Sequence, residues 1–378
     1  MQPETNAATA GGGPYRVMVV DDSAVIRGLL TKTLESDAEI KVVSTIANGQ
    51  AAVDALRRLD IDVVVLDIEM PVMDGLTALP KMLEVRPHLQ VIMASTLTLN
   101  GASVSMKALA LGAADYLPKP TTTSGINTAV DFKRDLVEKV KSWGKVARRK
   151  RGLPPGSAAP SEPKPASQPK KLNQGPITLR NSTAGRVDCL AIGSSTGGPQ
   201  ALFTLFRALG RVERMPVFVT QHMPATFTTI LAEHLAQASG MPSAEAKDGE
   251  AVLPGRIYVA PGDFHMTVEG QPGRVVVRLN KNPPENFCRP AVDPMLRSIA
   301  KVYGPRTLFV MLTGMGQDGL KGARDLIAAG SNVIAQDEAT SVVWGMPGAV
   351  ATAGLCSAVL PLAEIGGYVK KTLLKAAA

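Results

Sequence analysis

Short apolar runs alternate with longer segments of helical period along most of the chain, and the alternation stops once, between Lys145 and Arg186. In the first part, RVMVVDD is a strand-like run that starts at Arg16 and ends in two carboxylates. SAVIRGLLTKTLES follows, with Val25, Ile26, Leu29, Leu30 and Leu34 predicted on one helical face and Ser23 placed to cap it. The pattern then repeats: IKVVSTIAN reads as a strand, AAVDALRRL as a helix, and VVVLDIE as a strand running into Asp67. After the loop MPVMDG come a helix around Thr77 to Val85, the strand QVIMAS, a helix near Ala102 to Leu111, the strand DYLPKP and a long helix from about Asn127 to Arg149. Pro80 fits its helix only within the first turn or at a kink. Five such units predict one parallel sheet with helices on both faces.

The interruption explains the charge. The formal net charge is +8, yet from Lys145 to Arg186 ten Lys/Arg face a single acid, Glu162, so the remainder is close to neutral. The same segment holds seven prolines and few apolar residues, the composition of an extended tether. The expected organisation is a leader over 1–14, a first domain over 15–146, a linker over 147–185 and a second domain over 186–378. A length of 378 residues with 45% hydrophobic content is ample for two cores. The basic tract has no interleaved aromatics, so no nucleic-acid partner is expected. No apolar run approaches the roughly 18 residues of a membrane span, and Met1 to Pro14 has no signal-peptide core, so no membrane insertion and a cytoplasmic location are expected. Cys189, Cys288 and Cys356 are an odd set without metal-ligand spacing, read as reduced packing residues.

In the second part, DCLAIGSSTGG is a buried strand that Gly193 turns sharply before Pro199 opens the periodic segment PQALFTLFRALG. The spacing Gly193-x-Ser195-x-Gly197 matches a nucleophile elbow, and the free N–H groups of the next helix suit either an oxyanion or a bound phosphate. A serine nucleophile needs a base near neutral pH, and the chain has four histidines. His88 belongs to the first domain, and His234 lies in the helical pattern AEHLAQA on a predicted solvated face. His222 ends the strand VFVTQHM one unit after Ser195, at the same sheet edge; His265, in the loop-like APGDFHM, is the second choice. RTLFVMLTGMGQDGLKG places Asp318 after a third buried strand, where it either caps the next helix or orients the imidazole. Backbone N–H groups near Gly314, Met315 and Gly316 are candidate oxyanion donors.

In a parallel sheet, ligands gather at the carboxyl ends of the strands. In the first domain those ends carry Asp21, Asp22, Asp67, Ser95 and Lys119. Three carboxylates brought together repel unless a cation joins them, and hard oxygen ligands suit Mg²⁺. A phosphoryl group at Asp67 would be met by that ion, by Lys119 and by the Ser95 hydroxyl.

VVDDS, VVVLDIEMPVMDG, the MAST stretch and DYLPKP closely resemble the receiver domain of two-component response regulators, a (βα)5 flavodoxin-like fold. The resemblance implies that Asp67 is the phospho-acceptor, Asp21 and Asp22 metal ligands with it, Ser95 the reporting hydroxyl, Tyr116 the switching aromatic and Lys119 the phosphate-binding lysine. It also implies a histidine kinase as phosphodonor. Pro118 departs from the small or β-branched residue of that pattern.

AIGSSTGGPQAL, QHMPATFTTILAEHLA, YVAPGDFHM, RPAVD, MLTGMGQDG and QDEATSVVWGMPGAV together resemble the catalytic domain of the chemotaxis protein-glutamate methylesterases, the CheB family. That implies a doubly wound, mainly parallel α/β hydrolytic domain with Ser195 as nucleophile, His222 as base, Asp318 as orienting acid, Met315 at the oxyanion hole and Thr196 beside the nucleophile. Ala225 and Thr226 stand where the family pattern has Pro-Gly, and Ala291 where it has serine. The implied substrates are methyl esters, and secondarily glutamines, of chemoreceptors; no cofactor is implied for hydrolysis. The receiver is expected to inhibit the Ser195 site until Asp67 is phosphorylated. The alternative is a response regulator whose second domain is a non-catalytic binding module.

Overall fold

The computed structural model describes residues 12–96, 98–119, 126–157, 177–183 and 185–375. The leader through Gly11 and about half of the expected tether, 158–176, lie outside the described residues. The chain divides into two units, Met1–Gln168 and Pro169–Ala378.

In the first unit, β1 (Tyr15–Val20), α1 (Ala24–Leu34), β2 (Ile40–Ile46), α2 (Gly49–Leu56), β3 (Val63–Asp67), α3 (Gly75–Val85), β4 (Gln90–Ser95), α4 (Leu99–Ala110), β5 (Asp115–Pro118) and α5 (Ile126–Lys150) alternate as the pattern predicts. The strands form one sheet in the order β2-β1-β3-β4-β5, every pair parallel. Because the chain turns outward in opposite directions from β1 and β3, the residues ending those two strands, Asp21 and Asp67, flank the switch point where ligands bind in such sheets.

The structure sharpens three local readings. On α1, Leu30 and Leu34 are buried, but Val25 is 79% and Leu29 42% exposed, because the contact stripe is narrower than the apolar face. Pro80 lies at the sixth position of α3, inside the helix and beyond its first turn, so it removes one helical hydrogen bond there. The last helix, expected to reach about Arg149, ends at Lys150, within the segment read as linker. The cause of that reach is Asp62, nearly fully buried, which needs a cation: Arg148 Nε donates to Asp62 Oδ2 at 3.0 Å, and Arg151 Nη1 to Asp62 Oδ1 at 3.2 Å. Part of the basic tract therefore packs against the sheet of the first unit.

In the second unit, β6 (Cys189–Ser194), α6 (Gly198–Leu209), β7 (Val217–Gln221), α7 (Phe227–Ser239), β8 (Ser243–Glu245) and β9 (Ile257–Val259) build one half of a sheet. A hairpin follows, β10 (His265–Gln271) paired antiparallel with β11 (Arg274–Asn280). Then α8 (Val292–Val302), β12 (Thr307–Met311), α9 (Leu320–Ala328), β13 (Asn332–Gln336), α10 (Met346–Thr352), β14 (Ala358–Leu360) and α11 (Leu362–Lys375) complete the other half. The seven-stranded order is β14-β13-β12-β6-β7-β9-β8, parallel throughout. The direction of winding reverses between β6 and β12, so this sheet too has its switch point beside its central strands. Phe218, Tyr258, Phe309 and Met295 belong to the core beneath them. Thr183 N–H donates to Asn332 Oδ1 at 2.9 Å and Asn332 Nδ2 donates back to Thr183 O at 3.1 Å, which pins residues ahead of β6 to the start of β13.

Candidate active site and acidic pocket

The Ser195 corner is made by its neighbours. Ser195 N–H donates to Thr313 O at 3.0 Å, and Gly198 N–H turns back onto Ser195 O at 2.7 Å. Gly197 holds φ +74, a left-handed conformation, and a Cβ there would lie 2.5 Å from Val342 Cγ2. From β7, Gln221 secures the corner: its Oε1 accepts from Ser194 Oγ at 2.7 Å and its Nε2 donates to Ser195 O at 2.9 Å and His222 O at 3.0 Å. Ser195 is half-buried, and its hydroxyl makes no hydrogen bond among the described residues.

His222 and Asp318 are brought together, with His222 Nε2 2.7 Å from Asp318 Oδ2 and the imidazole 11% exposed. Asp318 does not cap α9, whose N-cap is Gly319. It caps α8 instead. Ala291 sits at the N-cap of α8 without a side-chain oxygen, and the exposed donors of that helix start turn to Asp318: Val292 N–H to Oδ2 at 2.6 Å and Asp293 N–H to Oδ1 at 3.1 Å. Gly319 N–H at 2.9 Å and Asn286 Nδ2 at 3.0 Å add to Oδ1. Burial alone would favour the neutral acid, but the imidazole and these donors hold the Asp318 carboxyl below its ordinary range. Beside it, burial and the Asp318 charge push Asp293 up to about 6, and the Asn286 amide also donates to Asp293 Oδ2 at 3.2 Å.

With Asp318 ionised, Nε2 carries the ring proton and Nδ1 is the basic nitrogen. Cys288 Sγ lies 3.3 Å from that Nδ1. Burial disfavours the imidazolium, yet the contacts with Cys288 and Asp318 outweigh it and raise His222 well above the ordinary histidine range. Cys288 is thus not a packing residue; it is half-buried in the loop that also carries Asn286. Neither was singled out from the sequence, and the signal available was that Cys288, unlike Cys189 and Cys356, lies outside any apolar run.

His265, the second candidate base, is the first residue of β10, nearly fully buried, with Ala291 N–H donating to its Nδ1 at 3.3 Å and its Nε2 3.1 Å from Pro283 O. Both ring nitrogens are occupied by backbone, so it is structural. His234 is half-buried, its ring 5.8 Å from that of Phe203, so its helix face is only partly solvated. Thr196 is buried and its carbonyl accepts from Thr313 Oγ1 at 3.0 Å; Met315 is half-buried in the loop before α9. Among the described residues no acceptor pairs with the N–H of either. Thr226 adopts φ +76, the conformation that a glycine would hold without strain.

The other sheet edge gathers different chemistry. Asp21, Asp22 and Asp67 offer carboxylate oxygens within 4.8 Å of one another. Lys119 Nζ lies 2.7 Å from Asp21 Oδ2 and 2.6 Å from Asp67 Oδ1. Asp21 Oδ2 is buried and has that ammonium contact but no aligned hydrogen bond. Burial raises Asp67, with the Asp21 charge adding to it against Lys119; for Lys119, burial is outweighed by the two carboxylates and its value rises. An all-oxygen donor set with an oxygen left short of donors fits a hard divalent cation.

Ser95 is buried with Ser105 Oγ donating to its hydroxyl at 2.9 Å. Tyr116 is buried, with Lys139 Nζ 4.9 Å from its ring centroid and 2.9 Å from its carbonyl. Lys139 is fixed in turn by Asp115 at 3.0 Å, whose other oxygen accepts from Trp143 Nε1 at 3.1 Å. Ser105 and this cluster were not legible in the sequence, because their partners come from other elements.

The CheB methylesterase family model matches residues 190–369, and the response regulator receiver domain model matches 17–131. A protein-glutamate methylesterase/protein-glutamine glutaminase of Azospirillum brasilense is 60% identical over 97% of this chain and 95% of its own length. One of the group 2 operon of Rhodospirillum centenum is 57% identical over 98% and 97%. The CheB methylesterase catalytic domain of Thermotoga maritima is 42% identical, covering 49% of this chain and 98% of that one with a TM-score of 0.46. With both domains matched in series and such identity sustained along nearly all of its length, the chain belongs to the CheB family of protein-glutamate methylesterase/protein-glutamine glutaminases.

Proposed function

We propose that the protein is a phosphorylation-activated hydrolase that removes methyl esters from glutamate side chains of chemoreceptors, releasing methanol, and deamidates receptor glutamines. The observation that carries the reading is the 2.7 Å pairing of His222 Nε2 with Asp318 at the sheet edge that also bears Ser195. It leaves Nδ1 as the base. Ser195 Oγ displaces the Cys288 thiol from Nδ1, gives up its proton there and bonds to the ester carbonyl carbon. The N–H groups of Thr196 and Met315 receive the oxyanion. The carbon–methoxyl bond breaks, the leaving oxygen takes the proton from Nδ1, and methanol departs. Water then attacks the acyl-serine, Nδ1 takes its proton, and Ser195 leaves with that proton as the free glutamate forms. A glutamine loses ammonia by the same route, and more slowly, since an amide needs more help in leaving.

In the receiver, Asp67 accepts the phosphoryl group from a histidine kinase. Asp21, Asp22 and Asp67 would hold a Mg²⁺, which when bound neutralises charge on the transferring group. Lys119 shifts from bridging the two carboxylates to meeting the phosphoryl oxygens, Ser95 turns its hydroxyl from Ser105 toward them, and Tyr116 carries the change outward. Phosphorylation relieves inhibition of the Ser195 site by the receiver. A purely binding output is set aside, because the relatives that match along the whole chain are named as methylesterases.

The test is mass spectrometry of a methylated chemoreceptor cytoplasmic fragment incubated with the wild type, Ser195→Ala and Asp67→Asn, each with and without a small phosphodonor. Methyl loss is expected to need Ser195, and its rise with phosphodonor to need Asp67. Equal loss in wild type and Ser195→Ala would overturn the assignment.

A further inference from the structure

We propose that Phe287 is a specificity-determining residue that packs against the apolar surface beside the esterified glutamate of the protein substrate. The inference rests on the methylesterase reading and adds the feature that separates a protein ester from a small one.

Glu285 and Cys288 close a two-residue turn, with Glu285 N–H donating to Cys288 O at 3.1 Å and Cys288 N–H to Glu285 O at 2.9 Å. Asn286 and Phe287 occupy its corners at φ +51 and φ +64. Such a turn favours Asn followed by Gly, because a side chain at the second corner is strained in the left-handed region. The chain places an aromatic there. Solvation disfavours it as well: Phe287 is 82% exposed, the only phenylalanine among the described residues left so open to water. Backbone conformation and solvation therefore both disfavour an aromatic side chain here.

The turn is firmly based. Arg297 grips the Glu285 carboxylate with both Nη atoms, one pair at 2.9 Å. Asn286 Nδ2 reaches Asp318 Oδ1 at 3.0 Å, and Cys288 Sγ reaches His222 Nδ1 at 3.3 Å. The neighbours of Phe287 on either side thus touch two members of the site, and one peptide unit of about 3.8 Å separates its Cα from each of theirs. A small ester can enter without meeting this rim. A glutamyl ester presented on a protein surface cannot, and an aromatic on a rigid base is the kind of anchor that such a surface binds.

Steady-state kinetics of the full-length protein on a methylated receptor fragment and on p-nitrophenyl acetate, for wild type, Phe287→Gly, Phe287→Tyr and Ser195→Ala, test the proposal. Glycine relieves the left-handed backbone, so a loss in Phe287→Gly is not a loss of folding. Its KM for the receptor fragment is expected to rise about tenfold or more, with a much smaller effect on kcat/KM for the small ester, and Phe287→Tyr to restore most of the affinity. Equal losses on both substrates, or no loss on either, would overturn the proposal. Wild type and Ser195→Ala acting alike on both substrates would instead remove the methylesterase reading, and the inference with it.

Discussion

The two sheets end in carboxylates at equivalent places, yet hold them in opposite ways. At the Ser195 edge, Asp318 takes four donors from Val292, Asp293, Gly319 and Asn286 besides His222, none a permanent cation, and its carboxyl is pulled below the ordinary range. At the receiver edge, Asp21 and Asp67 share a single ammonium, Asp21 Oδ2 lacks an aligned hydrogen bond, and Asp67 is raised. Dipoles fixed by a helix start and a loop cannot leave, so in the proposed mechanism Asp318 is a permanent charge that holds the imidazole through a whole catalytic cycle. A lysine side chain can swing away and a cation can enter, so the acidic pocket is built to change its charge. Under the proposed function, the difference separates a site that performs chemistry from one that receives a signal.

The largest predicted effect breaks the first half of this comparison. Asp318→Asn keeps the shape but removes the charge and favours the wrong imidazole tautomer, and kcat for ester hydrolysis should fall by about 10³- to 10⁴-fold. In the receiver, Lys119→Ala leaves two buried carboxylates facing each other. The unit should lose about 3 kcal/mol, read as faster hydrogen exchange in β1 and β3 of the full-length protein, and added Mg²⁺ should restore much of it. Asn286→Ala removes one of several donors to Asp318, and kcat should fall only about tenfold.

The smallest effect concerns pH. In the proposed mechanism His222 acts as a base only when neutral, so kcat/KM should rise as pH passes through its titration, which the Cys288 contact helps to raise. Cys288→Ala should therefore move the rising limb of the pH profile to lower pH and increase activity on its acid side. An unmoved limb would remove Cys288 from the tuning of His222.

Both sheets were legible because a buried parallel strand is a continuous apolar run whose end is marked by its first polar residue, as at Asp21, Asp67 and Ser95. Periodicity gives the direction of a helix face and not its width, so it did not separate the buried Leu30 and Leu34 on α1 from the exposed Val25 and Leu29. The hairpin β10–β11 was missed, and with it the burial of His265, because the motif around that histidine reads as loop. Asn286 and Cys288 reach their partners across 32 and 66 residues from an irregular turn, where no spacing rule applies. Asp318 was expected to cap the helix after it or to orient the imidazole; its capping of α8 depends on a packing contact that sequence order does not contain.

The central claim is that Ser195, not the thiol on the other side of His222, forms the covalent intermediate. The most direct measurement is acid quenching during turnover of an activated ester, followed by peptide mapping of the acylated protein. The account predicts the acyl group on Ser195; acylation of Cys288, with Ser195 unmodified, would contradict it.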